Sequence, residues 1–225
     1  MDAPENYDAF GWKLYSLSVA ALLISILVLG FVSPELRTWI LEEDGPVENL
    51  SAIGYFVCIV CLLMLAGRDA RRHWDIAALL LAMGLRELDF NTRFTDGVSI
   101  AKIHFFTDPG QPLALKIFSA SLGALVLYCL LHLAFRSYRS FLRSLKGLEP
   151  KAVCVATGVA FAFIAKGLDG PLKKIMPLYT REWSEIAEEV LELGIPVMFI
   201  MGLILYFADK LPLRPSSGEA RAPQD

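Results

Sequence analysis

Apolar residues in this chain fall in long blocks divided by short polar connections, not in stripes with a helical or strand period. Such a block has no side to offer water. Blocks of this length approach the roughly 20-residue helix that crosses a hydrocarbon core about 30 Å thick. Six blocks can be drawn, at residues 11–32, 47–66, 74–90, 112–134, 151–168 and 185–208. The pattern predicts an all-α fold, a polytopic transmembrane helical bundle of about six spans. A single domain is expected over 1–210, with a disordered cytoplasmic tail over 211–225, where Leu211-Pro-Leu-Arg-Pro-Ser-Ser-Gly has little apolar surface to bury.

Composition sharpens this picture. Of 225 residues 55% are hydrophobic and mean hydropathy is +0.50, so no soluble domain fits between the blocks. The lipid bilayer is the expected partner, and nucleic acid is not one. The start, Met1-Asp2-Ala3-Pro4-Glu5-Asn6, is acidic where a signal peptide is basic, so the first block is expected to stay as an uncleaved anchor. Arg68, Arg71, Arg72, Arg136, Arg139, Arg143, Lys146, Lys151, Lys210, Arg214 and Arg221 all fall on one side of an alternating topology. That side is expected to be cytoplasmic and to hold both termini. Segments 33–48, 86–116 and 166–192, on the other side, carry more acid than base. The basic stretch Arg136–Lys146 is expected to lie along the anionic inner leaflet, and 98–106 to form a short re-entrant or interfacial helix. Cys58, Cys61, Cys129 and Cys154 all lie inside spans and read as apolar filler; Cys58-x-x-Cys61 lacks the partner motif of a zinc or redox site. Gly54, Gly123 and Gly158 read as helix packing points.

Three blocks are too short to span unless charges enter with them. Ile76 to Leu85 runs into Arg86-Glu87-Leu88-Asp89, Ala152 to Ala165 into Lys166-Gly167-Leu168-Asp169, and Glu185, Glu188, Glu189 and Glu192 precede the last block. All of these fall at the acidic face. Ionisable groups at that depth are costly and usually face a protein interior or a wet cavity. The four glutamates follow i, i+3, i+4, i+7 and so share one helical face, Glu188 and Glu192 being the strongest candidates. Glu48 lies one turn into the second span, with Ser51 and Tyr55 below it. The expected ligand set is Glu48, Arg86, Glu87, Asp89, Lys166, Asp169, Glu188 and Glu192, in which Arg86 and Lys166 act as counter-charges. Glu48, Glu87, Glu188 and Glu192 together would suit a hard divalent cation, Ca²⁺, Mg²⁺ or Mn²⁺. Two plainer readings compete: first-turn acids matched to helix dipoles, and an ion-pair network that fixes helix register. His73 and His132 sit at the opposite membrane face from His104, which disfavours a three-histidine zinc site.

Glu42-Glu-Asp-Gly-Pro-Val-Glu48 before a span and Arg86-Glu-Leu-Asp-Phe-Asn-Thr-Arg-Phe94 after the next resemble a group of uncharacterised bacterial multi-pass inner-membrane proteins. In that group an acidic Asp-Gly-x-x-Glu segment precedes one span and an Arg-Glu motif closes the next. The resemblance covers about residues 40–95; it implies a bacterial inner membrane and brings no reaction with it. The alkaline ceramidase-like hydrolases share an acidic segment before a span, but they hold zinc with three histidines in seven spans, and this chain departs on both counts. The leading expectation is an outward-facing acidic cavity that binds or transports a cation or a lipid headgroup. The alternatives are a metal-dependent lipid hydrolase or transferase, with no catalytic residue assignable, and a non-catalytic scaffold.

Overall fold

The structure, a computed structural model, describes residues 3–42, 45–90, 103–172 and 178–208. Among these there is no strand. Helix α1 runs Ala3–Phe31, α2 Pro34–Leu41, α3 Pro46–Ala66, α4 Trp74–Glu87, α5 Ile103–Thr107, α6 Leu113–Lys146, α7 Pro150–Gly167 and α8 Leu178–Ala208. Five stretches are long and apolar enough to cross a membrane: Tyr7–Phe31, Pro34–Glu87, Leu113–Lys146, Pro150–Gly170 and Glu182–Ala208. The second contains both α3 and α4, joined by a tight 3-10 segment, Gly67–His73. The expected all-α helical bundle is therefore observed, with five such stretches among the described residues and the 14-residue α4 inside the second of them. The tail 211–225 lies outside the described residues, as does all of the expected re-entrant stretch except its last turns, in α5.

Helix α8 is the hub, packing against α1, α3 and α7, while α4 bridges α3 to α6. Apolar chains in lipid gain little by burying against each other, so close backbone approach has to come from small residues. A Cβ on Gly54 of α3 would lie 2.9 Å from the Pro196 ring of α8, one on Gly158 of α7 would lie 2.7 Å from Phe199, and one on Gly194 would lie 3.0 Å from both Leu22 and Phe161. Gly123 faces open space instead and is no packing point. Polar contacts pin α1 to its neighbours: Tyr7 donates to the Leu205 carbonyl at 2.6 Å, Tyr15 Oη lies 3.1 Å from Thr157 Oγ1, and Ser18 donates to Met201 Sδ at 3.1 Å. Outward faces of α1 and α6 expose Leu23, Ile24, Leu27, Ile117, Phe118 and Leu127, as lipid-facing helices do. The four cysteines are free thiols.

Two features depart from expectation. Arg136–Lys146, expected along the inner leaflet, continues α6 without a break, because no proline or glycine interrupts it before Gly147. Helix α2 occupies part of what read as a loop; Ser33 Oγ accepts from Leu36 N–H at 3.4 Å, and Pro34 supplies a first-turn residue that needs no donor.

Helix α4 has 14 residues, about 21 Å of rise, and ends short of a full span. Its stop is a Schellman motif. Phe90 N–H donates to the Leu85 carbonyl at 3.1 Å and Asp89 N–H to the Arg86 carbonyl at 3.0 Å, with Asp89 at φ +49° where glycine is usual. That stop fixes Arg86 and Glu87 at the level where α3 and α8 begin their apolar stretches.

Candidate functional site

Helices α3 and α8 run parallel, and the Gly54–Pro196 contact sets their register. Cys58 Sγ–H, one turn further along α3, donates to the Pro196 carbonyl at 3.4 Å. One turn back, Ser51 is level with Glu192 and Leu193; a turn earlier still, Glu48 is level with Glu189 and Val190. Helix α4 runs the opposite way and meets the same face, since a Cβ on Gly84 would lie 3.2 Å from Tyr55 Cβ and 3.7 Å from the Ala52 carbonyl. The turn after Gly84 carries Glu87 to the same level. Carboxylates from three helices thus lie at similar levels at the acidic end of the bundle.

Electrostatic neighbours agree with this register. Glu87 is influenced by Glu192, Arg86, Glu48 and Asp89, and Glu189 by Glu192, Glu188, Glu48 and Glu87. Tyr55, 1% exposed, shares Glu87, Arg86 and Glu192 as charged neighbours. Arg86 Nη2 donates to Glu192 Oε1 at 3.2 Å, so that carboxylate is matched. Glu87 is 8% exposed, and no hydrogen bond or ion pair joins it to a described residue. Ser51 Oγ is buried without a hydrogen-bond partner. Pro196, inside α8, has no N–H to give the Glu192 carbonyl, which is left without its intrahelical donor.

Of the residues expected from sequence, Glu48, Arg86, Glu87 and Glu192 lie at this level, and Arg86 pairs with Glu192. Glu188 stands at the margin, next to Glu189, which the structure brings closer to the cluster than the spacing alone suggested. Asp89 forms the stop of α4. Lys166, expected as a counter-charge, instead donates to Asp169 one turn on, at 2.5 Å. Among the described residues no group of three or more His, Cys, Asp and Glu side chains gathers to hold a metal ion. Of the four carboxylates expected as metal ligands, Glu192 is turned to Arg86.

A second polar group went unread. Asp75, in the first turn of α4 at the basic end, is wholly buried. Its Oδ2 accepts from His132 Nδ1–H of α6 at 2.9 Å, with Arg136 Nη1 at 3.8 Å, and its Oδ1 accepts from Ile76 N–H at 3.0 Å. Arg136 also donates to the Arg72 carbonyl. Trp74 and Tyr128 stack beside the His132 ring. A first-turn acid normally reads as a dipole match, and its partners lie two helices later in the chain; only the i, i+4 pair His132 and Arg136 on α6 hinted at a shared acceptor. The group latches α4 to α6.

No protein-family model, curated protein or solved structure matches this chain. The resemblance over residues 40–95 rests on its two short motifs alone.

Proposed function

We propose that this multi-pass membrane protein binds a cation, or the cationic headgroup of a lipid, at the acidic site formed by α3, α4 and α8, and that binding serves transport across the membrane. One observation carries the reading: Glu87 is buried beside other carboxylates without a hydrogen bond or ion pair to a described residue. An ionised group so placed is costly unless a positive partner arrives. Glu48, Glu189 and Glu192 add to the attraction, and Arg86 limits it. With the basic ends of the helices toward the cytoplasm of a bacterial cell, the site opens toward the periplasm.

The test is thermal unfolding of the detergent-purified protein after chelation and dialysis, with and without added cations. A cation present at about 100 times its Kd stabilises the native state by roughly 2.7 kcal/mol. Glu87→Gln is expected to abolish that gain while inserting normally; an undiminished gain in this variant overturns the reading. The Arg86–Glu192 pair favours a second reading, an ion-pair network that only sets helix register. It predicts no cation effect on the wild type and a lowered midpoint in Arg86→Gln.

A further inference from the structure

We infer that the occupant of this site is a monovalent metal cation of sodium's size, held by Glu87 together with Ser51 Oγ, the Tyr55 hydroxyl and the Glu192 main-chain carbonyl. The inference rests on the reading of Glu87 as a cation ligand and adds the ligand's class.

Charge comes first. Arg86 matches Glu192, which leaves Glu87 as the unmatched carboxylate at the level of Ser51 and Tyr55. Glu189 lies one turn nearer the mouth, where it can draw cations in without joining the inner set. One carboxylate balances one positive charge, whereas divalent sites usually assemble several carboxylates, and none of that kind is gathered here among the described residues.

The neutral oxygens come next. Ser51 is 1% exposed and its hydroxyl has no partner. Tyr55 is equally buried, and its hydroxyl makes no hydrogen bond to a described residue. Buried hydroxyls are nearly always hydrogen-bonded, so Ser51 Oγ marks a place where another partner belongs, and Tyr55 stands on the same face of α3. Pro196 releases the Glu192 carbonyl toward the same level. Main-chain carbonyls freed by helix interruption, with hydroxyl and carboxylate oxygens, form a hard-oxygen set suited to small alkali cations inside membranes.

Dicyclohexylcarbodiimide adds to membrane carboxyls in their protonated form, so an ion seated on Glu87 excludes it. The full-length protein in nanodiscs is labelled in sodium, potassium, magnesium or choline chloride at equal ionic strength, and the adduct on Glu87 is followed by peptide mass spectrometry. Sodium at about ten times its Kd is expected to slow labelling about tenfold, with potassium and choline below about twofold. Ser51→Ala and Tyr55→Phe, both first shown to unfold like the wild type, are expected to weaken sodium protection. Protection by magnesium, potassium or choline in place of sodium overturns this inference and leaves the cation-binding reading intact. Protection by no ion overturns both, as a proton-only carboxyl would give, and unchanged sodium protection in both variants removes the hydroxyls from the site.

Discussion

Gly54→Ala probes the contact that sets the site's register. The new methyl would lie 2.9 Å from both Cβ and Cγ of Pro196, against an optimum near 3.5–4.0 Å for carbon pairs. Neither partner can turn away, since one is a Cβ on a helix and the other a ring within one. Forcing such a contact typically costs about 1–3 kcal/mol. Alanine also favours a helix over glycine by roughly 0.5–1 kcal/mol, which would mask part of that cost. Gly123→Ala isolates the clash, because its methyl meets nothing within 4 Å and carries the propensity gain alone. In reversible denaturant unfolding from micelles, Gly54→Ala is expected to be less stable than Gly123→Ala by about 1–3 kcal/mol. It should also weaken any cation-dependent stabilisation, since parting α3 from α8 moves Ser51 away from Glu192. Equal stability of the two variants would refute the α3–α8 register and the site built on it.

Asp75→Ala leaves His132 without its acceptor and Arg136 without its counter-charge and is expected to destabilise by about 2–3 kcal/mol, less than a wholly buried pair because both partners reach solvent; Asp69→Ala, which breaks an exposed pair, should stay within about 1 kcal/mol in the same unfolding assay. Leu148 holds φ +52° between α6 and α7, so Leu148→Gly should raise stability by about 1 kcal/mol, and a lowered unfolding midpoint would show that its side chain matters more than the backbone. A double-mutant cycle on Arg86→Gln and Glu192→Gln should give a coupling of about 1 kcal/mol, modest because Arg86 is more than half exposed; additive effects would dissolve the pair.

The bundle was legible because unbroken apolar blocks have one stable solution in lipid. The burial of Glu87 was legible for a related reason, since a block ten residues long had to take Arg86-Glu87-Leu88-Asp89 in with it. Adjacent glutamates were harder. Glu188 and Glu189 each lie one turn before Glu192, and which of them turns inward depends on where α3 packs, information held by Gly54 and Pro196 together. The burial of Ser51 was not legible, because a serine beside a glutamate at a helix start looks solvated. Asp75 escaped notice because its partners come from a helix whose position against α4 no local pattern records. The run of α6 through Lys146 was hidden by its change from apolar to basic residues, a change of solvent and not of backbone.

The most direct measurement is a cation-induced infrared difference spectrum of the purified protein in lipid, recorded on wild type and Glu87→Gln. Adding sodium is expected to change the carboxylate stretching bands of the wild type, and Glu87→Gln to remove this change. A wild-type spectrum without carboxylate bands, or the same bands in Glu87→Gln, would contradict cation binding at Glu87.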